Sequence, residues 1–287
     1  MTTSAWMKKN CNSLRGKRIA ITGSTGGLGA PLCRYLALLG ADLILLNRNA
    51  EKSLTHKAKL EAFGVSVTCI FVDLEDLASV KNATDMLIAH GVDLFIHNAG
   101  AYSIPRRICN GGFDNVFQIN FVSPYYMIRR LLGHIEHAVV VGSVAHTYSK
   151  IDLDDIDFRT RSAASRAYGN AKRFLMGAMW GLAREGASVS VVHPGITFTN
   201  ITAHYPKLVF ALIKHPMKVI FMKPARAALS ILAGVFQKTQ AYEWIGPKWF
   251  RVWGLPKKER LNTVCEEELE KIVQTSQEIY RKLEEQR

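Results

Sequence analysis

The chain has 287 residues, 48% apolar and 21% charged, enough to bury one sizeable α/β core. Its five cysteines (Cys11, Cys33, Cys69, Cys109, Cys265) are odd in number and form no Cys-x-x-Cys pair, which argues against a disulfide framework or a zinc site and for a reducing compartment. The formal net charge of +13 would attract nucleic acid, a membrane surface or an anionic ligand alike, but the basic residues are spread in small groups without a dense aromatic-interleaved tract, so nucleic acid is not the expected partner. Met1 to Lys17 is polar and lacks an apolar run of signal-peptide length, and no apolar stretch reaches the ~18 residues of a spanning helix; the expected location is cytoplasmic. No linker or repeat divides the sequence, so residues 1–287 are read as one domain.

Lys17-Arg18-Ile19-Ala20-Ile21 reads as a short buried strand that runs into the glycine-rich turn Thr22-Gly23-Ser24-Thr25-Gly26-Gly27-Leu28-Gly29. A helix follows, because Leu28, Leu32, Tyr35, Leu36 and Leu39 share one stripe, Pro31 lies in the first turn and Gly40 can end it. Such a turn lets backbone N–H groups approach a phosphate at the positive end of the helix, so Gly23, Ser24, Gly27, Leu28 and Gly29 are expected dinucleotide contacts. Ala41 to Leu46 is continuously apolar, as a strand covered on both faces would be. It ends at Asn47 and Arg48, where an acidic residue would bind a ribose 2′-hydroxyl and repel a 2′-phosphate. A guanidinium pairs with that phosphate instead, so NADP(H) is expected over NAD(H); a charged hydrogen bond worth ~1.5–3 kcal/mol still leaves NAD(H) admissible.

Val65 to Val72 reads as a third strand ending at Asp73-Leu74, residues 76–90 as a helix, and Val92 to Ile96 as a fourth strand leading into His97-Asn98-Ala99-Gly100. Small residues at such a strand end lie beside the ligand crevice of a doubly wound sheet, and Asp73, Leu74, Asn98, Ala99 and Gly100 are assigned to it. Phe113 to Leu132 reads as a helix carrying Asn120, and the strand Ala138 to Gly142 delivers Ser143. Tyr168 and Lys172 lie four apart in a helix whose apolar stripe is Phe174, Leu175, Ala178, Met179 and Leu182. A fixed cation on the same face lowers a phenol's pKa from ~10, which fits Tyr168 to pass a proton to or from an alcohol or carbonyl oxygen.

Thr22-Gly23-x-x-x-Gly27-x-Gly29, Asp73, Asn98-Ala99-Gly100, Asn120, Ser143 and Tyr168-x-x-x-Lys172 resemble, in order, the motifs of the short-chain dehydrogenase/reductase family from about Lys17 to Gly195. The resemblance implies a Rossmann-type doubly wound parallel sheet flanked by helices, and hydride exchange between a nicotinamide and an alcohol or carbonyl. It implies that Tyr168 is the general acid/base, that Lys172 holds the nicotinamide ribose, that Ser143 orients the substrate oxygen, and that Asn120 holds a water in the proton relay. Pro194, Gly195, Ile196 and Thr199 resemble the segment that packs beside the nicotinamide and binds its carboxamide. His97 departs from the family's more usual asparagine, and a histidine beside the nicotinamide would add a proton donor. Gly111-Gly112-Phe113, Ser143 to His146 and the C-terminal helix resemble the retinol-dehydrogenase-like branch, for which carbonyl reduction with NADPH is the expected direction.

Ser143 and His146 lack the Gly-x-Ser-x-Gly elbow of a hydrolase, and His146 is read as lining the pocket. Ile151 to Asp157 lacks the glycine and terminal glutamate of a calcium loop and is read as a solvated loop; no metal site is expected. Residues 197–223 are read as a substrate lid, within which the apolar and basic run 207–223 also suits peripheral membrane contact and a lipophilic substrate. Residues 224–237 read as a helix and Tyr242 to Gly246 as a short last strand, and an amphipathic helix over 264–286 begins with Thr263 and Glu266 spaced as a capping box. A homo-oligomer is open. A catalytically inactive NADP(H)-binding sensor of the same fold and a Rossmann methyltransferase are the alternatives, distinguished by turnover and by binding of S-adenosylmethionine.

Overall fold

The computed structural model describes residues 1–197 and 222–285. Its strands are β1 (Arg18–Thr22), β2 (Asp42–Asn47), β3 (Val67–Phe71), β4 (Leu94–His97), β5 (His137–Val141), β6 (Val189–Val192), β7 (Glu243–Trp249) and β8 (Trp253–Arg260). They form one sheet in the order β3-β2-β1-β4-β5-β6-β7-β8, parallel throughout except that β8 returns antiparallel to β7. The helices are α1 (Thr3–Asn10), α2 (Gly29–Leu38), α3 (Ala50–Glu61), α4 (Leu77–His90), α5 (Asn115–Phe117), α6 (Ser123–Leu131), α7 (Ala164–Arg184), α8 (Pro224–Phe236) and α9 (Glu266–Glu285).

The inner strands are runs of Val, Ile and Leu because helices cover both faces. Successive side chains point to opposite sides. Ile19, Ile21, Leu43, Leu45, Ile96 and Val139 therefore join a layer with Leu32 and Leu36 of α2 and Leu229 and Leu232 of α8. Ala20, Ile44, Leu46, Phe95 and Val140 join the opposite layer with Leu87 of α4, Tyr125 of α6, Phe174 of α7 and Leu269 of α9. Strand order reverses between β1 and β4, so the carboxyl ends of these two strands border a crevice between the helix layers.

Three departures from the sequence reading concern the edges. The polar N-terminal segment forms α1, whose Trp6 is buried against the α2 and α8 layer. Tyr242 to Gly246 does not end the sheet, because β8 follows; its Gly254, Pro256, Lys257 and Lys258 look like a loop in sequence and are tolerated because β8 is an edge strand. The acidic stretch 151–157 is only partly solvated: Asp157 is buried, ion-paired with Arg159 at 2.7 Å, and accepts the Asp114 N–H at 2.8 Å. The lid expected over 197–223 and the membrane contact expected over 207–223 fall outside the described residues, apart from Thr197, Met222 and Lys223.

Candidate active site

The crevice floor is joined by polar groups at the ends of β1 and β4. Thr22 Oγ1 accepts the backbone N–H groups of Asn98 and Ala99, both at 3.1 Å. Those two bonds occupy its lone pairs, so its proton goes to His97 Nδ1, 3.0 Å away. Asn98 Nδ2 donates back to the carbonyls of Thr22 at 3.1 Å and Gly23 at 3.0 Å. Gly29 opens α2 so close beneath the turn that a Cβ there would overlap the Gly23 carbonyl oxygen. No side chain caps α2, so none competes with an anion for its first N–H groups.

Ser24 and Asn47, expected as cofactor contacts, turn their side chains inward. Asn47 Nδ2 donates to Ser24 Oγ at 2.7 Å and Ser53 Oγ at 2.9 Å, and these buried bonds brace the turn from behind. Arg48 is largely exposed and leans toward Glu75 at 3.9 Å, while Arg107 pairs with the same carboxylate at 2.5 Å. Two guanidiniums therefore converge beside the end of β2. Arg107 escaped the sequence reading because only the fold brings it from an irregular segment to Glu75. Asp73 remains half-buried, its Oδ1 accepting the Glu75 N–H at 3.0 Å, and the Leu74 carbonyl accepts Ser123 Oγ at 2.6 Å.

The helix expected over 113–132 is broken into α5, a widened π turn over Gln118–Val122, and α6. Asn120 sits in the widened turn, where the regular i→i−4 ladder is interrupted. Its Nδ2 donates to the carbonyls of Val116 and Ala101 at 2.8 Å, and its Oδ1 accepts the Ala101 N–H at 3.3 Å. Asn120 thereby fixes the segment following Gly100. Ser143, at the end of β5, caps a short helical turn by accepting the Ala145 N–H at 3.2 Å, and it lies within hydrogen-bonding reach of the Tyr168 hydroxyl. Tyr102 meets the Tyr168 ring edge-on with centroids 5.3 Å apart. Lys172 is buried, with Nζ donating to the Val141 carbonyl at 2.8 Å and lying 5.6 Å from the Tyr168 ring centroid. A methyl on Gly100 would stand 2.9 Å from Asn120 Oδ1 and 3.7 Å from Lys172 Nζ, so these motifs do meet in one place.

Electrostatics correct three expectations. Burial pushes the Tyr168 phenol up to about 12 and outweighs the hydrogen bond from Ser143, whereas Lys172 was expected to pull it down. Burial also brings Lys172 itself down to about 7. His97 is held neutral and so supplies no imidazolium proton: its ring is wholly buried, Nδ1 is an acceptor toward Thr22, which leaves the ring's hydrogen on Nε2, and burial followed by the charge of Lys172 holds it well below the ordinary histidine range. His146 does not line the pocket. Its Nδ1–H donates to the Ser143 carbonyl at 2.7 Å, Nε2 accepts from Thr263 Oγ1 at 2.7 Å, and burial lowers its pKa to about 4. That Nδ1–H bond fixes the ring behind Ser143 and leaves it no general-base role.

The sequence reading also missed Arg173. It grips Glu268 of α9 at 2.6 and 2.5 Å, the His146 carbonyl at 2.8 Å and the Thr263 carbonyl at 2.7 Å, tying α7 to the turn after Ser143 and to the C-terminal helix. Nothing in its spacing marks it out, because all its partners are distant in sequence. The expected capping pair is engaged elsewhere, Thr263 with His146 and Glu266 with Arg184 and Tyr242. Pro194 is buried, Ile196 accepts the Met222 N–H at 3.2 Å, and a Cβ on Gly195 would come 2.6 Å from the Val252 carbonyl oxygen between β7 and β8. Thr199 lies outside the described residues.

A family model described as short chain dehydrogenase matches residues 17–207. The chain belongs to the short-chain dehydrogenase family. This short-chain dehydrogenase is 28% identical to human polyprenol dehydrogenase, over 66% of this chain and 64% of that one. It is 27% identical to human retinol dehydrogenase 13, over 67% of this chain and 62% of the relative. The matches thus span less than two thirds of these relatives' own lengths. Among solved structures, a dehydrogenase/reductase from Sinorhizobium meliloti 1021 superposes with a TM-score of 0.60 at 25% identity, covering 80% of this chain and 92% of that one. A blue fluorescent protein from a metagenomic library in complex with NADPH does so with a TM-score of 0.56 at 25% identity, covering 71% and 83%. A short chain dehydrogenase from Burkholderia cenocepacia J2315 in complex with NADP shares the fold, with a TM-score of 0.60 at 24% identity over 78% and 92%.

Proposed function

We propose that this short-chain dehydrogenase is a single-domain, NADP(H)-preferring enzyme that exchanges hydride with a lipophilic alcohol or carbonyl, reduction being the favoured direction. The observation that carries the reading is the meeting of Tyr168, Ser143, Lys172 and Asn120 at the carboxyl ends of β4 and β5. The residues present fit the dinucleotide: the uncapped start of α2 under the compact glycine turn suits its pyrophosphate, and Arg48 with Arg107 suits a 2′-phosphate. Thr199 and the lid over 197–223 remain part of the proposal. The printed names of the relatives, polyprenol and retinol dehydrogenase, support the lipophilic substrate class. The neighbours solved with NADP and NADPH support the cofactor, and one solved with NAD at 18% identity keeps NAD(H) as a weaker second.

When bound, the nicotinamide supplies or takes up the hydride. In reduction, the Tyr168 hydroxyl gives its proton to the substrate oxygen as negative charge develops there, and Ser143 orients that oxygen with a second hydrogen bond. A phenol held at about 12 by burial is fully protonated at neutral pH and suits this acid role. Lys172, held in place by the Val141 carbonyl, binds the ribose hydroxyls and returns protons toward Tyr168. Asn120 fixes the loop after Gly100 and orders the water that links Lys172 to solvent.

NADPH oxidation by the full chain, measured with aliphatic, aromatic, retinoid and steroid carbonyls and with Tyr168→Phe as control, tests this reading. Turnover is expected with apolar carbonyls and loss of it in the variant. Full activity in Tyr168→Phe, or no turnover on any carbonyl despite tight NADPH binding, overturns it.

A further inference from the structure

The β7–β8 hairpin carries large exposed rings at its tip. Trp249 is 58% exposed, Phe250 84% and Trp253 40%. Of the chain's five tryptophans, Trp6, Trp180 and Trp244 are buried, so both exposed ones stand opposite each other on this hairpin as a cross-strand pair. Trp249 and Trp253 also line a cavity of about 720 Å³ together with Met222, Lys223 and Arg226. None of the described residues lining that cavity is acidic. Lys248 is exposed, its Nζ 5.4 Å from the Trp249 ring centroid.

From this arrangement we infer that the tip of the β7–β8 hairpin docks on an anionic lipid bilayer, with Trp249, Phe250 and Trp253 in the headgroup layer and Lys223, Arg226 and Lys248 on its phosphates. Indole rings favour the membrane–water boundary because they are apolar with one polar N–H. Lysine and arginine near an anionic leaflet add attraction that fades with salt. A second copy of this chain is a poorer occupant. Each copy carries +13, and the β8 edge next to the tip holds Pro256, Lys257, Lys258 and Arg260, which hinder strand-to-strand pairing. No helix among the described residues is long and apolar enough to cross a membrane.

The hairpin also bears on the site. β7 runs parallel to β6, so its tip stands at the same carboxyl edge as the crevice, and the Val252 carbonyl packs against Gly195. A bilayer seated on the tip would therefore lie beside the segment 194–197 and place an apolar phase near the crevice rim. The docking surface itself does not depend on the hydride-transfer reading, and its test uses no turnover.

The test is flotation of the full chain with phosphatidylcholine vesicles and with vesicles in which about one third of the lipid is phosphatidylserine, at low salt and at about 0.5 M salt. The expected result is binding to the anionic vesicles at low salt, a blue shift of tryptophan emission, and release at high salt. The double variant Trp249→Ser, Phe250→Ser should partition about tenfold less, and Arg226→Glu should weaken binding to anionic vesicles alone. Phe250→Ser by itself carries the test if the double variant melts early. Failure of the wild-type chain to float with anionic vesicles, or unchanged flotation of the variants, overturns the inference. So does a wild-type dimer in solution that the tip variants dissociate while vesicles bind neither form.

Discussion

The crevice floor and the hairpin tip occupy the same carboxyl edge of the sheet and are built in opposite ways. At the floor, Thr22, Asn98, Asn120 and Lys172 are withdrawn wholly or partly from water and matched to backbone groups, so the geometry is set before any ligand arrives. At the tip, Trp249, Phe250 and Trp253 keep 58%, 84% and 40% of their surface in water. One region is built on the chain's own hydrogen bonds, the other carries the proposed docking surface. Substitutions should therefore behave very differently in the two places.

The largest effect is expected at Tyr168. Tyr168→Phe should lower kcat by about 10²–10⁴ while leaving the melting temperature close to wild type, measured by NADPH oxidation and calorimetry. A large loss of stability instead would make Tyr168 a structural residue of the floor. Next comes acid. His146 titrates at about 4 in the folded chain and His193 at about 3, against 6.5 when unfolded, so below 6.5 the unfolded chain binds more protons and stability falls as pH drops. For His146 alone the loss between pH 6.5 and 4 is on the order of 3 kcal/mol, read from urea midpoints across that range. Flat stability there would show that these rings are not buried as described.

Smaller effects separate the parts of the crevice. Gly29→Ala should weaken NADPH binding and stability by about 1–3 kcal/mol, because the added methyl would overlap the Gly23 carbonyl oxygen and crowd the Ser24 backbone. Arg48→Ala and Arg107→Ala should each reduce the preference for NADPH over NADH about tenfold without changing NADH affinity, by titration of both dinucleotides. At the hairpin, Phe250→Ser should shift unfolding stability by no more than about 0.5 kcal/mol, since its ring touches little. A larger loss would remove the contrast on which the comparison rests.

Much of the floor was legible because its signals are local. The strand β1, the glycine turn and α2 are contiguous, and Tyr168 and Lys172 share a helix face, so spacing alone announces them. What spacing does not carry is burial. The sign of the Tyr168 shift was misjudged because the attraction of a cation four residues away is visible in sequence, whereas the desolvation that outweighs it is not. His97 and His146 were taken for crevice residues for the same reason, since their partners Thr22 and Thr263 are 75 and 117 positions away. Arg107 and Arg173 act through contacts that exist only once the sheet is assembled, and β8 was invisible because an edge strand may hold the proline, glycine and charges of a loop.

The grip of Arg173 has a consequence for biosynthesis. Arg173 is nearly buried, and its carboxylate partner Glu268 lies in the C-terminal helix, 95 positions further along. A nascent chain that has emerged only as far as β8 already contains Tyr168, Lys172, Ser143 and the glycine turn, but not the Glu268 carboxylate that Arg173 grips, and losing one partner of a pair whose charge stays buried costs about 3–5 kcal/mol. Removing α9 would take Glu268 from Arg173 and weaken the bracing behind Ser143 without touching Tyr168 or Lys172.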